Sequence, residues 1–374
     1  MDLEFTDDQH ELRDNARAVL AGACPPALVR RVHDGKGDGG ELWATLVDLD
    51  WPAVGVPEAD GGVGLGFVEV GILVEELARV TAPTPFLATA TQYAPVLREA
   101  GAGALLADAA AGRVTGTLAL AESGRWEPAA VTATARRRGD GWVLAGTKSH
   151  VIDGATADRL AVVARADDGG GLGVFVLPGA TVSATEPGAI IDPTLPIATV
   201  VLDGAEVEGD AVVVEPGDEA ADRIVARAVE EATVALALST VATCRAIFET
   251  TLQYAKDRHQ FGRPIGSFQA LKHRLADCYL AVERATALGW FAALTIAEDD
   301  DRRPVAASMA KAAAGECQRL LTRDGLQLHG GVGFMWETDL HFLLKRAKAG
   351  DLLFGGAATH RARLAGLLGL GPGR

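Results

Sequence analysis

The side chains with the clearest chemical potential lie in a short basic and aromatic stretch, residues 254–269, between two long apolar helical patterns. Arg258 and Gln269 offer directed N–H donors to an anionic or polar ligand. Phe261 offers a flat face that can cover an apolar one. A plain connection between helices rarely needs this combination, so the stretch indicates a binding turn. The alternative is a solvated loop whose arginines pair with acids such as Asp257.

A second donor-bearing segment, residues 326–334, is rich in glycine. Gln327 contributes an amide, and Gly330 and Gly331 lack a Cβ, so that backbone can approach a ligand closely. We expect the preceding helix to stop at residues 324–325, Asp-Gly, which would make Gln327 part of the loop. A glycine-rich loop is equally compatible with a simple chain reversal.

The composition is that of a globular protein with a large core. With 374 residues, 48% of them hydrophobic, two or three domains are expected. The net charge of −15 disfavours a nucleic-acid partner, although a local basic site can still bind phosphates. Four scattered cysteines indicate reduced, buried thiols and no metal site. No signal segment or membrane-length apolar run is evident, so we expect a cytoplasmic protein without a membrane span.

Three regions of different periodicity divide the chain. Residues 1–113 are mostly helical by pattern, with Thr6 as the cap of the first helix. Residues 114–215 hold short β-prone runs separated by turns, which is typical of a small antiparallel β domain. Residues 216–374 return to long amphipathic helices with mostly short connections, which predicts an up-and-down four-helix bundle. The predicted fold class is therefore α+β.

This order of domains and the motifs within it resemble the acyl-CoA dehydrogenase family, the flavoenzymes that desaturate acyl-CoA thioesters. The resemblance covers nearly the whole chain, and the bundle motifs are its most specific part. It implies the same fold: an N-terminal helical domain, a middle antiparallel β domain and a C-terminal helical bundle. The segments that carry the resemblance are residues 51–66, the Glu75–Glu76 pair, and residues 141–148, 254–269 and 326–334.

The resemblance implies FAD as the cofactor. The pyrophosphate and adenosine of FAD need cationic and polar donors, which the 254–269 turn and the 326–334 loop would supply. In the β domain the resemblance points to Ser123 and His150 as flavin contacts. His329 is expected to be structural rather than catalytic. The implied cofactor-binding residues are Arg258, Phe261, Gln269, Gln327, Gly330, Gly331 and Ser123.

The catalytic base is where the sequence departs from the family. Dehydrogenation removes the α-proton of the thioester and passes a hydride from the β-carbon to the flavin, which requires a carboxylate shielded from water. The family's usual Glu falls on Gly355, which cannot accept a proton. Other members carry the base at the position of Ala232, which neighbours Glu230 and Glu231. These glutamates and Asp351 are weak candidates, and the alternative for both glutamates is a solvated helix face.

The residues expected around the flavin ring also depart from the family pattern. A Thr-Glu-Pro-x-x-Gly-Ser stretch is replaced by Ala-Glu-Ser-Gly-Arg-Trp-Glu-Pro at residues 121–128. By resemblance, this loop and the Gly355 segment hold the chain's own FAD, whereas the bundle motifs reach largely into a neighbour's FAD. In this chain the residues that would hold its own FAD are altered, whereas those that would contact a neighbour's FAD are intact. This combination is typical of a non-catalytic subunit in a mixed oligomer, as in bacterial α2β2 acyl-CoA dehydrogenases.

Three hypotheses are therefore open. The chain is a partner subunit of a heteromeric acyl-CoA dehydrogenase, a self-sufficient enzyme with a relocated carboxylate, or a non-enzymatic scaffold that binds acyl-CoA or flavin. The resemblance implies an acyl-CoA substrate, a homo- or hetero-oligomer and an acceptor of the electron-transfer flavoprotein type.

Overall fold

In the computed structural model, which describes residues 4–186 and 190–370, helices precede and follow a central group of strands. The first helices are α1 (Asp7–Ala23), α2 (Pro26–His33), α3 (Gly40–Asp48), α4 (Phe67–Arg79), α5 (Phe86–Ala88), α6 (Ala94–Glu99) and α7 (Gly103–Ala110). The strands are β1 (Gly116–Ala119), β2 (Thr134–Arg138), β3 (Gly141–Ile152), β4 (Arg159–Ala166), β5 (Leu172–Pro178), β6 (Ser183–Thr185), β7 (Ile197–Val207) and β8 (Val212–Val214). The later helices are α8 (Ala221–Asp257), α9 (Gln269–Ala297), α10 (Arg303–His329), α11 (Leu340–Leu352) and α12 (Ala357–Leu367), with a small hairpin of β9 (His259–Gln260) and β10 (Arg263–Pro264) between α8 and α9. The predicted helical, β and helical order is confirmed.

The first helix begins where its sequence predicts. The Thr6 hydroxyl accepts a hydrogen bond from the backbone N–H of Gln9, and the Gln9 side chain accepts one from the N–H of Thr6. This reciprocal pair satisfies two donors that a helix start otherwise leaves without partners.

The β region forms a mixed sheet rather than a purely antiparallel one. Its strands are ordered β6-β7-β3-β2-β4-β5-β8, and most neighbours are antiparallel. However, β1 and β2 both run parallel to β4. A parallel neighbour requires a longer connection that returns the chain to the same end of the sheet, which alternation and turn residues do not reveal. One face of the sheet packs a core of residues such as Leu160, Val162, Phe175 and Val200.

Internal contacts divide the chain into two compact units. Unit 1 comprises residues up to 39, 71–83 and 233 onward, and unit 2 comprises 40–70 and 84–232. The first helical region thus contributes to both units. The limits 1–113, 114–215 and 216–374 stay a prediction.

Helix α9 meets a membrane-span criterion by length and composition alone. The core helix of a soluble protein meets the same criterion, and α9 packs along α10 in unit 1 with Val282, Trp290 and Ile296 buried. The absence of a membrane span stays a prediction.

Helix α10 continues through Asp324 and Gly325, where the sequence predicted its end. Gly325 serves packing instead, because a Cβ built there would lie 2.8 Å from the Cγ2 atom of Ile247 on α8. The glycine therefore lets two helices approach closely. As a consequence, Gln327 lies in the last turn of α10 and not in the following loop, which corrects the prediction.

Candidate functional site

The turn after α8 is a tight hairpin with an unusual residue at its tip. Arg258 follows the helix directly, and its N–H donates to the carbonyl of Tyr254 at 2.8 Å. Phe261 and Gly262, between β9 and β10, have φ angles of 53° and 76°. Left-handed backbone is ordinary for glycine but costly for phenylalanine, and such strain is concentrated at functional sites. The Phe261 side chain is also 90% exposed, so packing within this chain does not account for it.

The two arginines of this turn make no ion pair with the described residues. Asp257 accepts hydrogen bonds from Gln253 at 2.9 Å instead. The Arg263 guanidinium lies 4.2 Å from the centroid of the Phe268 ring. The alternative of a loop whose arginines pair with acids such as Asp257 is therefore wrong for the described residues. Both guanidiniums are available to an anionic ligand.

Gln269 is the first residue of α9, as predicted. The backbone N–H groups of a first helical turn lack helical partners, so they add to the donors of the side chain. The Nε2 atom of Gln269 lies 2.8 Å from Nε2 of His273, one turn further along α9.

The glycine-containing loop lies beside this turn in unit 1. The ring of Tyr254, near the end of α8, stacks on the ring of His329 at the end of α10, with centroids 4.4 Å apart. The Nδ1 atom of His329 lies 2.8 Å from the carbonyl of Gly325, so this buried ring serves the structure, as expected. Gly330 and Gly331 follow, and a Cβ built at either would meet nothing within 4 Å. The fold therefore brings Arg258, Phe261, Gln327 and both glycines to the same end of α8 and α10.

Gly355, on which the sequence analysis places the family's usual base, lies elsewhere in unit 1. Gly355 is in the turn between α11 and α12, and contacts Lys311 of α10 through its carbonyl. Lys311 and His329 are separated along α10 by about 27 Å, from a rise of about 1.5 Å per residue over the intervening helix. The Gly355 turn and the Gly330 loop are thus distinct parts of the unit.

The conformation and surroundings of Gly355 favour a residue without a side chain. Phe354 and Gly355 have φ angles of 54° and 89°. A Cβ built at Gly355 would lie 3.2 Å from Cγ2 of Thr359 and 3.4 Å from Nε2 of His360. A larger residue at this position would meet both backbone strain and crowding.

Lys311 holds this turn from within the bundle and was missed by the sequence interpretation. Its side chain is fully buried, and Nζ donates to the carbonyls of Gly350, Asp351 and Gly355, each at 2.9 Å. Burial lowers the pKa of Lys311 to about 7, and the nearby Asp351 opposes that shift. The available signal was a single lysine inside the alanine-rich run at residues 306–314.

The candidate carboxylates are engaged in other contacts. Glu230 and Glu231 are 5% and 1% exposed, so the alternative of a solvated helix face is wrong. Oε1 of Glu231 accepts hydrogen bonds from Arg98 at 2.5 Å and Arg227 at 3.1 Å. Oδ2 of Asp351 pairs with Lys348 at 3.1 Å. Two guanidiniums on one carboxylate oxygen indicate an ion-pair cluster more than a base awaiting a proton.

In unit 2, Ser123 and His150 lie close together on left-handed backbone. Ser123 and Gly124 have φ angles of 51° and 73° and form a turn closed by backbone hydrogen bonds between Glu122 and Arg125. His150 has a φ of 53° at an irregular point of β3. A Cβ built at Gly124 would lie 3.9 Å from Cε1 of His150. The fold therefore presents Ser123 and His150 on one exposed surface.

A buried ion pair supports this turn and was not anticipated from the sequence. Nζ of Lys148 lies 2.6 Å from Oε1 of Glu122, and both side chains are buried. Burial by itself would raise the pKa of Glu122, but hydrogen bonds from Lys148, Thr132 and Ala133 outweigh it and lower the pKa. The pair fixes the residue that precedes Ser123.

Known proteins resemble the chain over most of its length. The acyl-CoA dehydrogenase N-terminal domain family matches residues 6–107, and the acyl-CoA dehydrogenase C-terminal domain family matches residues 223–368. The acyl-CoA dehydrogenase IpdE2 of Mycobacterium tuberculosis is 30% identical over 91% of each chain. A variant of the steroid ACAD Tcur3481–Tcur3483 is 30% identical, with a TM-score of 0.85 over 97% of this chain and 98% of that one. The ChsE4–ChsE5 complex from Mycobacterium tuberculosis contains a chain that is 26% identical, with a TM-score of 0.89 over the full length of both.

Proposed function

Because this chain belongs to the acyl-CoA dehydrogenase family, we propose that it works as the non-catalytic-type subunit of a heteromeric acyl-CoA dehydrogenase. Its class is that of the family: an oxidoreductase that acts on acyl-CoA with FAD as cofactor. The proposal concerns the finer assignment, in which the chain completes a FAD site and a partner subunit supplies the base for α,β-desaturation. We propose the cytoplasm as its location and an electron-transfer flavoprotein-type protein as its acceptor.

The residues of the 258–269 turn and the 327–331 loop fit FAD. A guanidinium without a carboxylate partner suits a pyrophosphate, and Arg258 is such a group at a helix end. Gly330 and Gly331 leave room for close backbone approach. The exposed ring of Phe261 can cover a flat ligand surface. When bound, FAD supplies the hydride acceptor, while these residues bind and orient it.

The observation that carries the proposal is the conformation of Gly355. The family's base position is held by glycine, and the left-handed backbone together with Thr359 and His360 leaves little room for a carboxylate there. Glu231 is committed to Arg98 and Arg227. The proton acceptor is therefore better assigned to a partner chain.

The exposure of the binding turn supports the same assignment. A phenylalanine that is 90% exposed on strained backbone gains little in the isolated chain, where its ring makes an edge contact with Phe268 at a centroid distance of 6.0 Å. Phe334 is also 77% exposed in the loop that follows α10. Exposed apolar side chains of this kind indicate a surface that another subunit or ligand covers. Two of the similar structures are described by paired chain names, ChsE4–ChsE5 and Tcur3481–Tcur3483.

Co-expression and flavin quantitation test the proposal. The chain purified alone should contain little FAD and no dehydrogenase activity, whereas the complex with an acyl-CoA dehydrogenase-like partner encoded beside it should contain both. Stoichiometric flavin with turnover by the lone homo-oligomer would favour the self-sufficient enzyme with Glu231, Glu230 or Asp351 as base. Ligand binding without dehydrogenation in every combination would favour the scaffold.

A further inference from the structure

The turn that carries Gly355 is held more firmly than a helix connection requires. Lys311 donates to three of its backbone carbonyls, those of Gly350, Asp351 and Gly355. The carbonyl of Phe354 has a separate partner, because it lies 2.9 Å from Nε2 of His360. Four carbonyls between residues 350 and 355 are thus drawn toward the interior of the bundle.

The geometry of Lys311 requires its charged form. An ammonium group has three N–H donors and a neutral amine has two. Because three carbonyls lie at 2.9 Å from Nζ, only the ammonium satisfies all of them. A buried cation is costly unless all its donors make hydrogen bonds. The ammonium therefore needs the three carbonyls as acceptors, and the buried carbonyls need the ammonium as their donor.

The charged and titratable groups around Lys311 come from each neighbouring helix. On α11, Asp351 raises the pKa of Lys311 and Lys348 lowers it. On α12, the charge of Lys311 lowers the pKa of His360. Cys244 of α8 lies within the field of Asp351. Asp351 is the nearby acid in this set, and its Oδ2 pairs with Lys348. The cation is therefore held mainly by backbone carbonyls.

The backbone of the turn that Lys311 holds is strained. Phe354 and Gly355 adopt consecutive left-handed φ angles of 54° and 89°. Strained backbone persists only where surrounding contacts over-determine it, and it is concentrated at functional sites. The firm hold on a turn that lacks a base suggests that the turn's shape still matters.

We propose that Lys311 is a positioning residue that fixes the 353–356 turn in the conformation the acyl-CoA dehydrogenase complex needs for turnover. The proposal rests on the proposed function for its link to activity, since that link requires an active complex. Its structural part concerns the chain alone. The lysine acts through the backbone of the turn and does not touch the reacting atoms.

Hydrogen–deuterium exchange on the purified full chain tests the structural part. Lys311→Met keeps much of the length of the side chain and removes the ammonium. We expect exchange in residues 353–358 to rise at least tenfold while exchange in α9 is unchanged. The control is Lys348→Met, which removes a neighbouring, half-exposed ammonium and should leave residues 353–358 protected. Equal exchange in the two variants, or loosening spread evenly over the bundle, would overturn the proposal.

If Lys311→Met fails to fold, hydrogen–deuterium exchange of the wild-type chain over a series of pH values tests the structural part instead. After correction for the intrinsic pH dependence of exchange, protection of residues 353–358 should fall as pH rises and the amine loses its third donor. The same series on Lys348→Met should also show a fall, displaced to higher pH, because Lys348 does not contact the carbonyls but lowers the pKa of Lys311. Protection that is independent of pH up to 10 would contradict a role for the ammonium.

Activity of the complex tests the functional part. Lys311→Met should lower kcat at least tenfold relative to Lys348→Met, with equal flavin content in the two complexes at a temperature where both are fully folded. Unchanged kcat in an active complex would overturn the proposal. If the wild-type complex shows no activity, the proposed function fails, and the exchange measurements alone decide whether Lys311 fixes the turn.

Discussion

At the scale of single residues, the backbone at Gly355 disfavours a carboxylate there, in addition to the lack of a side chain. Gly355 has a φ of 89°, and a Cβ there would crowd Thr359 and His360. By resemblance, the sequence predicts that Gly355 stands where the family has a glutamate. The structure adds that the surrounding turn has no prepared place for that glutamate.

We expect Gly355→Glu to destabilise the chain without restoring activity. The left-handed backbone and the contacts to Thr359 and His360 should lower the free energy of unfolding by about 1–3 kcal/mol. Urea unfolding and an acyl-CoA dehydrogenation assay on the lone chain provide the measurement. Gly356→Ala is the matched control, because its φ is −81° and its nearest neighbours are 3.7 Å away, and it should change stability little. Turnover by the Glu variant would show that the turn can still carry the base.

We expect Glu231→Gln to act on stability rather than on chemistry. The substitution leaves the guanidiniums of Arg98 and Arg227 without their carboxylate in a largely buried place, which should cost about 2–3 kcal/mol. Arg98 is partly exposed, which limits the loss. Glu219→Gln on an exposed residue is the control. A large fall in turnover of the complex with unchanged unfolding free energy would instead identify Glu231 as a base.

At the scale of elements, the hairpin between α8 and α9 combines a strained tip with an exposed aromatic ring. The sequence identifies the turn by its donors, by glycine and by proline. The left-handed conformation of Phe261 is visible only in the structure. Because strained backbone is concentrated at functional sites, this conformation favours a functional role for Phe261.

We expect Phe261→Gly to separate stability from function. Glycine relieves the left-handed strain, so the isolated chain should be as stable as wild type or up to about 1 kcal/mol more stable. The complex should nevertheless retain less FAD, because the flat face is lost. Phe261→Tyr keeps that face and should retain the cofactor. Unfolding curves of the chain and flavin absorbance of the complex report the two effects, and equal flavin content in all three proteins would remove Phe261 from the site.

Elements also differ in how far their limits and pairing can be predicted from the sequence. The capping box at Thr6 and the start of α9 at Gln269 were predictable because caps and turns are encoded locally. The passage of α10 through Asp324–Gly325 was not, because it depends on Ile247 of α8. The parallel pairing of β1 and β2 with β4 likewise depends on strands distant in sequence.

At the scale of the whole molecule, the two compact units do not follow the order of the chain. The first helical region is divided between them, although its residues are contiguous. Buried titratable groups within a unit link the stability of the whole fold to pH. His360 is the clearest example, because burial lowers its pKa to about 4, with Lys311 and Arg363 acting in the same direction.

We expect acidification to destabilise the fold through His360. The ring is neutral in the folded chain, and its pKa rises toward 6.5 on unfolding, so the unfolded state binds the additional proton. Its contribution is present above pH 6.5 and is lost as pH falls toward 4, by about 3 kcal/mol at one pKa unit per about 1.4 kcal/mol. Unfolding free energies of wild type and His360→Gln across this range provide the measurement. Parallel pH profiles for the two proteins would contradict this assignment.

The sequence by itself determined the order of helical, β and helical regions, because helix periodicity and turn chemistry are local, and its motifs carried the resemblance to the family. The cofactor-binding residues of the turn stay a prediction from that resemblance. The assignment of the family's base position to Gly355 is likewise a prediction from the resemblance. Only the tertiary structure decided that Glu231 is bound by two arginines, that Lys311 cages the Gly355 turn, and that Tyr254 and His329 bring the turn and the loop together. These contacts join residues far apart in the chain, and their partners are selected by packing rather than by spacing.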